Sequence, residues 1–306
     1  MVEILAGTNT FLIKAEQKKR VEAFVREHGD LALEKLDGEE VDLNRVREAV
    51  TSLPFLAAKK MVVLAHTAAN KNVAENIQTL LNDVSESTDL LIVEGKLDKR
   101  SIYYKTLKKQ KGFKEFDELD EAALSKWLVS EAASRGGELS FMDAKYLVDR
   151  AGTNQQMLSG ELEKLVLYKA HITRETIDLL VEAHPQSTVF ELLDAAFAGN
   201  VNRALGIYEE QRALKVEPQA MLAMIAWQLH ILSLIKVAGP RHPADIAREA
   251  RVSPFVVNKS MTAAKNMSTA QLKKLVHDAL VLDSRLKSEP IDADSALQNL
   301  IIQIAK

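Results

Sequence analysis

Three short aliphatic runs in the first 117 residues constrain the fold more than any other feature: VEILAG at 2–7, MVVLAH at 61–66 and LLIVEG at 90–95. Each stops at a glycine or a polar residue, as buried strands do. Longer stretches with helical spacing lie between them. Residues 11–28 close at Gly29, residues 42–52 stop before Pro54, and residues 73–84 end in polar side chains. Strands alternating with helices predict a parallel sheet flanked by crossover helices, so residues 1–117 read as an α/β domain.

From about residue 118 the strand signal ends and the remainder reads as helical. Residues 119–134 run to Gly136 and Gly137, a C-terminal stop, and residues 140–150 and 155–170 carry amphipathic spacing. The ITRET segment at 172–176 supplies an N-cap for the helix that follows. His184, Pro185, Gln186 and Ser187 read as a linker. Beyond it, five or so helices are broken at Gly199, Pro218, Gly239 to Pro243, Pro254 and Pro290. The 306 residues exceed one ordinary core. The expected division is an α/β domain at 1–117, a small helical domain at 118–185 and a larger helical domain at 186–306.

Composition narrows the chemistry. With no cysteine, the chain has no disulfides, no thiolate zinc site and no cysteine nucleophile, which agrees with a reducing cytosol. No basic segment leads into an apolar one at the N-terminus, and no run of about 18 apolar residues occurs, so the expectation is a cytoplasmic protein without membrane contact.

A search for catalytic constellations yields little. Gly7, Thr8, Asn9 and Thr10 sit where a phosphate-binding loop would follow the first strand. Such a loop needs a second glycine followed by lysine and a hydroxyl residue, and Leu12, Ile13 and Lys14 occupy that stretch instead. An ordinary strand-to-helix turn is the expectation. Glu94 is the one acid at the end of LLIVEG, where a magnesium-binding aspartate would be sought. The seven histidines show no paired metal-ligand spacing, and no nucleophile elbow is present. The expected assignment is therefore no catalytic residue, no metal and no cofactor.

Binding features are stronger. In TSLPFLAAKKMVVL at 51–64 a helix ends, Pro54 forces an extended turn, and Phe55 and Leu56 follow before a basic pair enters a strand. The two apolar side chains either fold back into the core or anchor a partner, since buried aromatic and aliphatic groups dominate interface energies. Two stretches are strongly basic. Residues 96–114 hold eight basic side chains against one acid, and residues 236–274 hold eight against two. Both are candidates for phosphate contact, and equally for solvated faces. The second includes 244–264, whose two helices and short turn match a helix-turn-helix pattern. Its second helix would open with Pro254 and Phe255, poor readers of base edges.

Several segments, in order, resemble the delta subunit of the bacterial DNA polymerase III clamp loader. They are SLPFL before KKMVVL, KLDKRS at 96–101, GELEKLVLYK at 160–169, VFELLDAAFAGNVNRAL at 189–205, EPQAMLAMIAWQL at 217–229, VSPFVVNKS at 252–260 and LVLDSRLKSE at 280–289. The resemblance spans nearly the whole chain. It implies an AAA+ type first domain, a small helical lid and a helical collar that packs against other loader subunits of the gamma/tau and delta-prime types. It further implies a subunit that binds the sliding clamp and holds the ring open for loading onto primed DNA, while siblings hydrolyse ATP. The family's clamp-binding apolar pair falls on Phe55 and Leu56, with Leu53 and Pro54 shaping the turn. Here Phe precedes Leu, the reverse of the family's usual aliphatic-then-Phe order. Lys99, Arg100, Lys105, Lys108, Lys109 and Lys111 are the candidates for DNA or subunit contact. Two other readings stay open: a regulator that reads DNA through 244–264, and an active ATPase of the same architecture.

Overall fold

The computed structural model describes residues 1–54, 57–182 and 185–305, with the backbone alone at 185–187. The chain divides into two compact units, Met1–Leu119 and Asp120–Lys306.

The first unit is a five-stranded, wholly parallel sheet in the order β2-β3-β4-β1-β5, built from β1 Val2–Gly7, β2 Leu33–Asp37, β3 Lys60–Ala65, β4 Thr88–Val93 and β5 Phe113–Phe116. Its helices are α1 Thr10–His28, α2 Leu43–Thr51, α3 Lys71–Glu75, α4 Ile77–Asn82 and α5 Ile102–Lys108. The three interior strands are the three aliphatic runs, because a strand covered on both faces needs apolar side chains on both. Alternate residues feed two separate cores. Ile4, Val62, Leu64, Leu90 and Ile92 pack with Val46, Leu80 and Leu107 on one face. Leu5, Met61, Val63, Leu91 and Val93 meet Ile13 and Phe24 of α1 on the other.

The two edge strands are not legible in the sequence. β2 reads LEKLD and β5 reads FKEF, and both mix half-buried and exposed residues without strict alternation. The single helix expected over 73–84 is two short ones, broken at Asn76 (φ −98°, ψ 7°), whose side-chain amide donates to the Asn72 carbonyl at 2.9 Å. A further helix, α5, occupies part of the basic stretch, capped by Ser101 accepting from the Tyr104 N–H.

The second unit comprises α6 Glu121–Ser134, α7 Phe141–Ala151, α8 Gln155–Tyr168, α9 Arg174–Leu180, α10 Pro185–Phe197, α11 Val201–Ala213, α12 Pro218–Ala238, α13 Pro243–Ala250, α14 Pro254–Asn266, α15 Thr269–Ser288 and α16 Ala293–Ile304. It is not purely helical: β6 Glu138–Leu139 pairs in parallel with β7 His171–Ile172. Thr173 caps α9 in a capping box with Thr176, as the ITRET segment predicts. The expected linker is corrected, because residues 185–187 form the first turn of α10; His184 lies outside the described residues. Among the described residues, seven helices follow residue 184 rather than about five. The prolines at 218, 243 and 254 open helices at their first positions, where the missing N–H costs nothing.

The 21-residue α12 organises this bundle. Among the described residues it is the one helix long and apolar enough, by length and composition, to cross a membrane, a property that a search for unbroken apolar runs does not reveal. In the structure its Met221, Leu222, Ile225, Leu229, Ile231, Leu232 and Ile235 are buried in the bundle core. Among the described residues, that core draws only on those from Val189 onward. On this ground we propose that the second unit holds two domains meeting near residue 185.

Candidate functional site

The segment between α2 and β3 carries the predicted docking residues. Helix α2 ends at Ser52, which turns to an extended conformation (φ −66°, ψ 150°) while its N–H still reaches the Glu48 carbonyl. Pro54 is half-buried, and Leu53, the residue before it, is 80% exposed. Phe55 and Leu56 lie outside the described residues. Ala57 packs against the α1 face of the sheet, and the chain enters β3 at Lys60. Lys60 is only 7% exposed, and its ammonium donates to Ser52 Oγ at 2.6 Å. Burial pushes this ammonium below its ordinary pKa, with Glu34 and Glu48 opposing the shift and Arg45 adding to it. The sequence draws attention to the apolar pair but gives no sign of this contact.

The turn after β1 is closed by the protein itself. Gly7 has φ +139°, and a Cβ there would lie 2.0 Å from the Phe116 carbonyl oxygen of β5. Close approach of two strands therefore explains the glycine. The Asn9 N–H donates to Phe116 O at 2.9 Å, the Asn9 side chain accepts from the Leu12 N–H at 3.0 Å, and Thr8 Oγ1 accepts from the Glu118 N–H at 3.1 Å. Two amides of this turn, those of Asn9 and Leu12, are thus engaged in strand-end and capping contacts. Lys14 is exposed on α1.

Glu94, the acid at the end of β4, is 3% exposed and works as a buried acceptor. One of its oxygens accepts from Thr67 Oγ1 at 2.5 Å, from the Tyr103 hydroxyl at 2.6 Å and from the Ala68 N–H at 3.1 Å. Burial, reinforced by the Glu94 charge, raises the Tyr103 hydroxyl far above its ordinary pKa. The cluster ties the turn after β3 and helix α5 to the sheet. No cluster of candidate metal ligands occurs among the described residues.

The basic stretch at 96–114 is less free than its composition implies. Lys99 reaches Glu115 at 2.7 Å and holds that carboxyl below the ordinary carboxylate range; Arg100 pairs with Asp98 and Lys114 with Glu16. Lys108 lies 5.5 Å from the ring centre of Tyr104. Lys105, Lys108, Lys109 and Lys111 are exposed on or just after α5 and have no ion pair among the described residues. A cleft of about 670 Å³ is lined by Gly7, Thr8, Lys96, Lys99, Arg100 and Asp117 among others, and by none of these four lysines.

The 244–264 hairpin exists as α13 and α14, joined through Arg251 in the left-handed region. Its second helix is built into the bundle. Val256, Val257, Ser260 and Ala264 are buried, and Ser260 Oγ accepts from Gln228 of α12 at 2.9 Å. Lys259 is drawn to Asp149 at 3.8 Å and lies over the rings of Phe190 and Phe255. Arg241 and Arg248 pair with Glu249 and Asp245. A helix committed this way, opening on a half-buried Phe255, leaves few groups for base edges.

Two family models and two similar proteins relate the chain to known sequences and folds. A family model described as "DNA polymerase III, delta subunit" matches residues 4–117, and one described as "DNA polymerase III delta subunit, C-terminal domain" matches residues 186–304. The chain is 23% identical to DNA polymerase III subunit delta of Bacillus subtilis (strain 168), over 100% of this chain and 93% of the relative. Its fold is similar to that of the Bacillus subtilis DNA clamp loader delta protein YqeN, with a TM-score of 0.80 and 22% identity, covering 99% of this chain and 95% of that one.

Proposed function

Because this chain belongs to the DNA polymerase III delta-subunit family, we propose that it binds the ring-shaped sliding clamp and holds one ring interface open for loading onto primed DNA, without itself hydrolysing ATP. Family membership makes it a component of DNA polymerase III clamp loading, distinct from the polymerase itself. The observation that carries the finer reading is the Phe55–Leu56 pair, placed after an extended Leu-Pro turn whose Leu53 already stands 80% exposed. Adjacent bulky apolar side chains on such a segment suit an apolar pocket on a partner.

Opening then follows from linkage. A protein that binds the opened ring better than the closed one shifts the ring toward opening by no more than that difference in affinity. No covalent step is required, and the self-capped turn at Gly7 to Asn9 supports a subunit that leaves hydrolysis to sibling subunits of the loader. The reading is tested with a clamp carrying a fluorophore pair across one interface. Saturating amounts of this chain, without nucleotide, are expected to lower energy transfer; unchanged transfer under conditions where binding is complete contradicts ring opening.

We propose further that Lys105, Lys108, Lys109 and Lys111 contribute sequence-independent phosphate contacts within the assembled loader, supported by their exposure and lack of ion pairs among the described residues. Replacing Lys108, Lys109 and Lys111 by glutamine is expected to flatten the log–log salt dependence of DNA binding by about 0.9 for each phosphate that is no longer neutralised. An unaltered slope contradicts phosphate binding by these lysines.

A further inference from the structure

Lys60 sits where the sheet has no evident use for a charge. It is the first residue of β3, followed by the buried apolar run Met61 to Leu64, and is itself only 7% exposed. Lysines are almost never this buried without a charged partner. Among the described residues, however, no carboxylate lies within ion-pair distance of Lys60, and the hydrogen bond its ammonium makes is to the Ser52 hydroxyl at 2.6 Å. Withdrawing most of a lysine side chain from water with a neutral hydroxyl as the ammonium's hydrogen-bond acceptor among the described residues is costly, and the lowered pKa of Lys60 reflects that cost. Methionine or leucine would continue the apolar run without this penalty, so packing alone does not account for the lysine.

The Lys60–Ser52 hydrogen bond does have a geometric consequence. Ser52 is the last residue before the docking segment, anchored to α2 through its N–H on Glu48 O at 2.9 Å. Lys60 is the first residue after it, anchored to the sheet through its N–H on Ser87 O at 3.0 Å. The side-chain bond between them therefore fastens the two ends of segment 53–59 to each other, after both are fixed to separate elements of the fold. Fixing the ends of a binding segment in advance lowers the ordering cost paid on association.

We propose that Ser52 and Lys60 form a clasp that presents the clamp-docking segment, making both positioning residues for clamp binding. The inference rests on the docking reading given above. It is tested by titrating the full-length protein against the sliding clamp of the same cell, with unfolding midpoints measured in parallel. Ser52→Thr retains the acceptor, and Ser52→Val removes it at nearly the shape of that threonine. Ser52→Val and Lys60→Met are each expected to weaken binding roughly tenfold, the effect of removing one charge-assisted hydrogen bond. Ser52→Thr is expected to bind like the parent, and the Ser52→Val, Lys60→Met double variant no more weakly than either single one. The exposed Ser52 makes Ser52→Val safe for folding, so its binding is readable even if Lys60→Met is destabilised. Parental affinity of Ser52→Val, alongside loss of binding in a Phe55→Ala, Leu56→Ala control, overturns the clasp and leaves the docking reading standing. Equal weakening by Ser52→Thr and Ser52→Val overturns it too, since the hydroxyl would then be immaterial. Parental affinity of the Phe55→Ala, Leu56→Ala control overturns both ideas together.

Discussion

Truncating Phe55 and Leu56 together to alanine is expected to weaken clamp binding by roughly 2 kcal/mol or more, about thirtyfold or more, in an equilibrium titration. The magnitude follows from how interface energy is distributed. A few apolar or aromatic anchors in desolvated pockets carry most of it, and the contacts around them mainly exclude water. Leu53 and Pro54 serve a different purpose in this account. Proline restricts the residue before it to extended conformations, so these two shape the turn, and Leu53→Ala should cost less than loss of the pair. Because Phe precedes Leu here, the single variants will reveal which of the two is the main anchor. A double variant that binds as tightly as the parent contradicts the assignment.

Gly7→Ala is expected to destabilise the first unit by on the order of 3 kcal/mol. Two costs add. At φ +139° a residue with a Cβ is strained, and that Cβ would lie 2.0 Å from the Phe116 carbonyl oxygen, a backbone atom that cannot swing aside. Either the β1–β5 pairing at Gly7 and Phe116 breaks, or the strand end shifts and the capping bonds of Thr8 and Asn9 go with it. Denaturant unfolding of the variant measures the effect. A glycine kept for phosphate binding would behave in the opposite way, with stability preserved and nucleotide affinity abolished.

The parts of the fold that the sequence reveals are those where one physical requirement dominates. Strands buried on both faces must be apolar throughout, so β1, β3 and β4 stand out, while the edge strands β2 and β5 have mixed patterns and do not. Caps and helix-opening prolines are readable because their chemistry is local, as at Thr173 and Pro254. The two-residue pairing of β6 with β7 and the break at Asn76 depend on tertiary context and leave no local trace. The site divides similarly. The Leu53 to Leu56 segment is visible as an apolar interruption beside a proline. The Lys60–Ser52 hydrogen bond is not, since nothing in a run of letters distinguishes a buried lysine from an exposed one. Charge counts mislead in the other direction: Lys99, Arg100 and Lys114 look available and are paired with acids.

The source of the energy is what separates this account from an ATPase reading of the same architecture. If docking an apolar segment onto a ring supplies it, the purified chain binds the sliding clamp equally well with and without ATP and magnesium, and shows no saturable ATP binding of its own. Clamp binding that appears only on addition of ATP, or tight ATP binding near Gly7, contradicts it.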